Sequence, residues 1–388
     1  MRILIIITLF ISILFGAAKE LSPLPLPKTY FINLDIYPCD RFCLKEHLEN
    51  EEYLSFMAKM QRKYLEDFKE EYQRLASLLN AHSLLLATQF RIAILYPKRL
   101  KKYANKAFKA LSAYLLQKDL HFEISSQSFG DKADLFDLLD QDSRDLTILL
   151  ISYNESKLLE DLPISTPLFV PTLYKYYTNV DSPSIYFGGI DYPAQAKALK
   201  AISNDPKALF YLKNSYLSTK ITQEFNQSTP VRLYAVDNSV RNLANYFKNS
   251  KSLDGYTTIY NTPLVKTALI LSQMRLYKIK PAQKLSTQIN YNPKLFHLTQ
   301  PKDRSGLLIA TNFGHIPSLL YAQALAFDED LAFEWIGYSS CIGMENLLDL
   351  PKLFQEIFVD NQVRYETNIK QIKAYSIEEY QILPSQEF

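Results

Sequence analysis

What the 388-residue chain lacks narrows its function first. It has three cysteines, Cys39, Cys43 and Cys341, too few for a disulfide framework. Its five histidines, His47, His82, His121, His297 and His315, show no ligand spacing with the cysteines or with one another, so no metal site is expected. With nine glycines, the chain has no phosphate loop ending in Gly-Lys-Ser/Thr and no dinucleotide glycine pattern after its first apolar strand. A Gly-x-Ser-x-Gly elbow and a His-Glu-x-x-His helix are also missing, and neighbouring carboxylates such as Asp134 and Asp137 read as solvated. Neither catalysis nor a cofactor is therefore expected. Lys and Arg number 43 against 41 Asp and Glu, spread along the chain, which excludes an electrostatic footprint for nucleic acid.

Long apolar runs are missing as well. The first, residues 3–15, follows Arg2 and precedes Gly16, Ala17, Ala18 and Lys19, and it falls short of the ~20 residues that span a bilayer. It reads as a signal peptide cleaved near Ala18, with an uncleaved anchor as the alternative. No Cys follows the small residues, so lipidation is not expected, and a soluble periplasmic protein without a stable membrane span is. In an oxidising compartment Cys39 and Cys43, four residues apart in "CDRFC", are placed to form a small disulfide, leaving Cys341 a free buried thiol.

Present instead are 47% hydrophobic residues, with 27 Tyr, 23 Phe and the single Trp335. That is enough for a large core, and the length suggests two lobes. After the first cysteines Met57, Met60, Tyr64, Phe68, Tyr72, Leu75 and Leu79 recur at three- and four-residue steps. The spacing predicts one amphipathic helix of roughly thirty residues, 51–80, within an N-terminal segment 19–88. Beyond it, apolar strands alternate with helical stretches. "FRIAILYP", "HFEISSQS", "LTILLISY", "TPLFVPTL" and "SIYFGGI" give a first α/β unit over 89–203. "ALFYL", "VRLYAVD", "GYTTIYNTP", "KLSTQINYNP" and "GLLIATN" give a second over 204–312. Residues 313–388 supply a last helical region and two terminal strands returning to the lobes. Strands apolar on both faces call for parallel sheets covered by helices on each side.

The layout of "IYFGGIDYPAQAKALKAISNDPKALFYLKNSYLSTKITQEF", a strand followed by a Tyr-x-x-Gln helix and then a second α/β unit, resembles the type I periplasmic-binding fold over about residues 89–340. Two branches share that layout: receptors for branched-chain amino acids and related solutes, and the lipoprotein activators of penicillin-binding proteins. The resemblance implies a ligand cleft between the lobes at the carboxyl ends of the strands. There the matching positions are Tyr96, Ser152, Tyr153, Asn154, Pro171, Thr172, Asp191, Gln195, Asp237, Asn261 and Lys266. The solute receptors carry small hydroxyl and glycine residues after the third strand. This chain has "ISYNESK" there, where Ser152 keeps a hydroxyl but Tyr153 fills space, which argues against amino-acid capture.

KLSTQINYNP alternates Leu285, Thr287, Ile289 and Tyr291 with Ser286, Gln288 and Asn290. This is either the wet face of a strand or a row lining the cleft, with Gln288 and Asn290 contacting a neutral polar ligand. The expected function is non-enzymatic binding through an envelope protein or peptidoglycan-related partner. A receptor for a small polar solute is the alternative, and an envelope hydrolase the third reading.

Overall fold

The computed structural model describes residues 29, 31, 33, 35, 37, 39–81, 90–118, 120, 122–140, 144–227, 230–247 and 253–380. The expected signal peptide and its cleavage point near Ala18 lie outside them. Among the described residues no helix is long and apolar enough to cross a membrane. The chain forms two compact units, one including residues 39–81 and one including residues 90–380.

In the N-terminal unit Cys39 and Cys43 are joined by a disulfide as expected, their Cα atoms 5.3 Å apart, and Cys341 is free and buried. Asp40 caps the helix Arg41–Glu49, its carboxylate accepting from the Cys43 N–H at 2.9 Å. The single long helix does not form. Its residues make helices Tyr53–Lys59 and Lys69–Leu78 with a 3₁₀ turn Arg62–Tyr64 between them, broken where Met60 and Phe68 leave the helical region. The reason lies in the stripe itself: a straight helix cannot bury its apolar face against itself. Broken twice, the chain folds Phe56, Met57, Met60, Phe68, Tyr72 and Leu75 together with Cys39 and Leu44 into a small core. Nor are all histidines remote from the cysteines. His47 offers a ring nitrogen within 4.8 Å of both sulfurs, because Cys43 and His47 lie one turn apart on the helix Arg41–Glu49 and the disulfide holds Cys39 against Cys43.

The larger unit holds two seven-stranded sheets. In the first, β1 (Phe90–Pro97), β2 (Phe122–Phe129), β3 (Leu146–Leu149), β4 (Leu168–Val170) and β5 (Ile185–Phe187) are joined by β11 (Ile357–Val359) and β12 (Gln362–Arg364) in the order β11-β12-β5-β4-β3-β1-β2. In the second, β6 (Lys207–Leu212), β7 (Val231–Val236), β8 (Thr257–Asn261), β9 (Gln283–Ser286) and β10 (Leu307–Thr311) are joined by β13 (Asn368–Ile372) and β14 (Ile377–Glu379) in the order β14-β13-β10-β9-β8-β6-β7. The first five strands of each are parallel in the same spatial order, a doubly wound sheet. Each sheet is mixed at one edge, where β11 pairs antiparallel with β12, and β13 with both β10 and β14. The tail thus supplies four strands where two were expected.

The helix Lys101–Gln117 buries Ala104, Ala107, Phe108, Leu111 and Leu115, the three- and four-step pattern that packs a helix on a sheet. The last helical region divides into Ser318–Ala326 and Trp335–Leu347, and both pack on Lys101–Gln117. The helix Tyr192–Ala201, assigned to the first unit from sequence, packs instead with β10 and with the helix Tyr216–Asn226 of the second lobe. The chain therefore crosses between lobes three times, at Gly188–Asp191, at Asn312–Ile316 and at Tyr365–Thr367.

Candidate functional site: the cleft between the lobes

A cavity of about 390 Å³ opens between the lobes, lined by Tyr153, Thr172, Ile190, Tyr192, Leu217, Gln288, Tyr291, Phe313, Phe333 and Trp335 among others. Of the residues proposed from sequence, Tyr153, Thr172 and Gln288 line it. The others are placed differently. Tyr96 is the penultimate residue of β1 and is buried, and Asn154 is exposed. Asp191 caps the helix Tyr192–Ala201 through the Ala194 N–H at 2.9 Å, and Asp237 accepts from the N–H and hydroxyl of Ser239. Buried Asn261 donates to the Ser218 carbonyl at 2.7 Å and to Thr222 Oγ1 at 2.9 Å, tying β8 to a helix. Lys266 gives its ammonium to the Val240 carbonyl.

Ser152 has its hydroxyl spent. It donates to Glu155 Oε2 at 2.8 Å and accepts from Arg99 at 3.0 Å, while the Ser152 backbone N–H donates to the same Glu155 oxygen at 2.9 Å as part of a capping box. Burial raises the Glu155 pKa, but the hydrogen bonds from Ser152 and Arg99 outweigh it and hold the carboxyl below its ordinary value. Tyr153 turns its ring away from a small-ligand role. Its hydroxyl accepts from the Tyr174 N–H at 3.0 Å, and the ring lies 5.5 Å from Tyr216 of the second lobe and 6.1 Å from Tyr177. Tyr216 in turn donates to the Tyr177 carbonyl at 2.8 Å, so the lobes already touch through their own tyrosines.

The KLSTQINYNP segment is not a single strand. Only Gln283–Ser286 pairs in the sheet, after which Gln288–Asn290 forms a 3₁₀ turn with Gln288 and Asn290 both buried. Asn290 donates to the carbonyls of Tyr260 and Thr262 and to Ser286 Oγ, so it braces the strand ends rather than facing a ligand. Gln288 is 6% exposed, and its Oε1 accepts from the Asn312 backbone N–H at 2.7 Å and from Gln195 Nε2 at 3.1 Å. A backbone N–H can only donate, which fixes the amide orientation. Gln288 Nε2 is consequently left as a donor, buried without a partner. The Thr172 hydroxyl on the same cavity is buried without one as well.

Asn312, missed from sequence, is the centre of the hinge. Its Oδ1 accepts from the Asp191 N–H at 3.1 Å and from Gln195 Nε2 at 2.6 Å, while Nδ2 donates to the Glu366 carbonyl and Thr367 Oγ1. One side chain thus touches all three crossings. Trp335, also missed, donates from Nε1 to the carbonyls of Pro171 and Gly188 and packs its ring 4.8 Å from Tyr365 and 5.4 Å from Phe313. A lone Trp signals burial somewhere, but nothing local says which surface it will cover.

Among the described residues the cleft lining holds no unpaired charge. Its one lining carboxylate, Glu334, pairs with Lys106. Burial pushes the Tyr291 hydroxyl up to about 12 and raises those of Tyr153 and Tyr192 further, so these tyrosines stay neutral donors. A larger cavity of about 810 Å³ lies elsewhere, between the β11–β12 hairpin and the β13–β14 edge, where Glu356, Arg364, Glu366, Lys370 and Glu379 line it. It shares Phe313 with the cleft and borders the carboxyl end of β10, whereas the smaller cavity gathers residues that follow β4, β5, β9 and β10 and so draws on both lobes.

No protein-family model and no curated protein sequence matches the chain. Solved structures do. The leucine-binding protein LivK from Thermotoga maritima aligns with a TM-score of 0.56 at 12% identity, covering 77% of this chain and 100% of that one. The substrate-binding protein LivJ from Streptococcus pneumoniae, solved with isoleucine, gives 0.55 at 13%, covering 74% and 97%. Full-length LpoA from Haemophilus influenzae gives 0.51 at 11%, covering 87% of this chain and 68% of that one. Strand order, the three crossings and these similarities agree: the two lobes have the type I periplasmic-binding-protein fold.

Proposed function

We propose that the chain is a non-enzymatic binding protein of the periplasm that acts through a macromolecular envelope partner. The observation that carries this reading is the state of the cleft. A solute receptor of this fold works by hinge closure around its ligand, so the ligand supplies the contacts between lobes. Here the protein supplies them itself, through Tyr153 against Tyr216, the Tyr216 hydroxyl on the Tyr177 carbonyl, and Asn312 across all three crossings. The hydroxyl that would meet a small ligand, on Ser152, is spent on Glu155. Exposed tyrosines near the lobe junction, Tyr103, Tyr176 and Tyr216, are the side chains that protein–protein interfaces favour.

A second reading rests on a separate observation. The unpartnered Nε2 of Gln288 and hydroxyl of Thr172 are what a small neutral acceptor, such as a carbonyl or hydroxyl, would satisfy. The two readings separate in one experiment: thermal-shift screening of the full chain against amino acids, sugars, peptides and muropeptides, beside in-cell cross-linking from position 176. The expected result is a cross-link to one envelope protein and no ligand shift that depends on Gln288. A saturable shift that Gln288→Leu abolishes, with no cross-linked partner, replaces the proposal by the solute receptor.

A further inference from the structure

The N-terminal unit contains a side-chain cluster that the cleft does not use. Cys39, Cys43 and His47 place two sulfurs and a ring nitrogen within 4.8 Å of one another. His47 is oriented by a carboxylate, its Nδ1 lying 2.5 Å from Glu52 Oε2. With the Nδ1 proton donated to Glu52, Nε2 carries the free lone pair, and Nε2 is buried without a hydrogen-bond partner. Buried polar atoms are mostly matched, so the unmatched nitrogen has the capacity to take a further partner. A histidine with one ring nitrogen held by a carboxylate and the other unmatched, beside two sulfurs, has the features of a metal-ligating imidazole.

We propose that Cys39 Sγ, Cys43 Sγ and His47 Nε2 form a redox-gated site for a borderline or soft cation, of which Zn²⁺ is the type. The site is closed in the disulfide form, because both sulfurs share their electrons with each other. A dithiol reductant opens it. One of its thiolates attacks a cysteine sulfur and releases the other as a thiolate. The second thiol of the reductant then displaces the mixed disulfide, so the reductant leaves oxidised and the chain keeps both thiols. Cation binding then releases the two thiol protons, and the sulfurs bind as thiolates. Three protein ligands leave the fourth tetrahedral position to water or to a group from a partner. Glu52 is a positioning residue here, holding the imidazole tautomer.

The test uses the full chain, reduced with a phosphine without oxygen and titrated with Co²⁺ as a spectroscopic stand-in for Zn²⁺. One Co²⁺ per chain is expected, with a thiolate-to-cobalt charge-transfer band that the oxidised chain lacks. Cys43→Ser should abolish the band, and Cys341→Ser should leave it unchanged. His47→Gln should weaken binding by more than about tenfold, and Glu52→Gln by about 10- to 100-fold, the usual cost of losing an outer partner. Circular dichroism of the oxidised variants separates misfolding from ligand loss. A reduced chain that binds no cobalt, a band that survives Cys43→Ser, or unchanged affinity in a folded His47→Gln variant overturns the proposal.

Discussion

The two lobes share one strand order but fill their interiors differently. The first sheet is dry: Ile92, Ile94, Ile148, Leu149, Phe169, Val170 and Phe187 are all buried along its strands. The second is filled at its carboxyl ends by Asn261, Thr262, Ser286, Gln288, Asn290, Thr311 and Asn312, equally buried. In the first lobe the free carbonyls of Pro171 and Gly188 are met by Trp335, Ser339 and Tyr365, which arrive from the end of the chain. The second lobe satisfies its strand ends largely from neighbouring turns, by Asn261, Gln288 and Asn290. Apolar burial favours collapse without dictating a partner, whereas a buried amide is tolerated only in the arrangement that pairs it. The dry lobe should therefore accept small changes of shape, and the wet lobe should resist changes of hydrogen-bonding pattern.

The first lobe is not without buried polar side chains, among them Thr147, Glu329, Ser339, Ser340 and Gln362, and Glu345 is the first of them to test. Glu345 is fully buried and accepts from the Tyr114 hydroxyl at 2.7 Å and from the N–H groups of Leu353 and Phe354 at 2.6 and 3.2 Å. Tyr114 keeps the Pro351 carbonyl if Glu345 is lost, but the two backbone donors have no other partner shown. Glu345→Ala should cost about 4 kcal/mol in urea unfolding, the sum of two orphaned donors and a cavity. A loss below about 1 kcal/mol would mean that the dry lobe does not depend on this polar post.

In the wet lobe Asn290→Leu keeps the volume and removes the donor shared by Tyr260, Thr262 and Ser286. Carbonyls tolerate a lost bond better than N–H groups, and Leu also removes the unpaired Oδ1 of Asn290, so about 3 kcal/mol is expected rather than more. Neutral or improved stability would show that the polar filling is dispensable and would erase the contrast between the lobes.

Legibility followed the same division. The dry strands were readable because apolar residues on both faces admit only a covered parallel sheet. β1 runs Phe90–Pro97, the limits that its sequence pattern marks. The wet lobe's segment at 284–293 was not, because a period of two says that two faces differ and not which one meets water. Gln288 and Asn290 look the same in sequence on a wet strand and in a buried turn. Asn312 and Trp335 had no local signal at all, since their partners lie far along the chain, at Asp191, Gly188 and Thr367. The broken helix over 51–80 failed for a related reason: periodicity identifies an apolar stripe but cannot tell whether a second surface exists to cover it. Cys39, Cys43 and His47 stand four residues apart, a spacing that two-residue metal motifs do not contain.

A pH effect sharpens the comparison on the dry side. Glu329 is buried in the first lobe's returning segment, and burial pushes its carboxyl up to about 8, against the partial relief of Lys106 and Lys109. Below the unfolded value of 4.5 both states hold the proton and the group is silent. Between 4.5 and 8 the unfolded chain ionises while the folded chain does not, so stability falls as pH rises and levels off above the folded value. The gap between 4.5 and about 8 sets an upper bound of about 5 kcal/mol on the loss across that window. Melting temperatures taken from pH 5 to 8 should decline for the native chain and flatten for Glu329→Gln. Parallel slopes in the two would remove Glu329 as the cause.

The smallest effect tests the seam where dry and wet lobes meet. Tyr216→Phe keeps the ring against Tyr153 and deletes only the hydroxyl that donates to the Tyr177 carbonyl across the junction. A single exposed-edge hydrogen bond contributes about 1 kcal/mol or less, so global unfolding should barely move. Local opening is a different quantity, because it is governed by the few bonds that join the lobes and not by either core. Amide exchange should therefore quicken in the segments around Tyr153 and Tyr174–Thr178 while β1 and β8 keep their protection. If exchange rises equally in all four places, the hydroxyl supports the whole fold, and the lobes are not two separately cohesive bodies held by a thin tyrosine seam. If it rises nowhere, the seam is carried by Asn312 and its three crossings, and Asn312→Ala becomes the variant that should open the cleft.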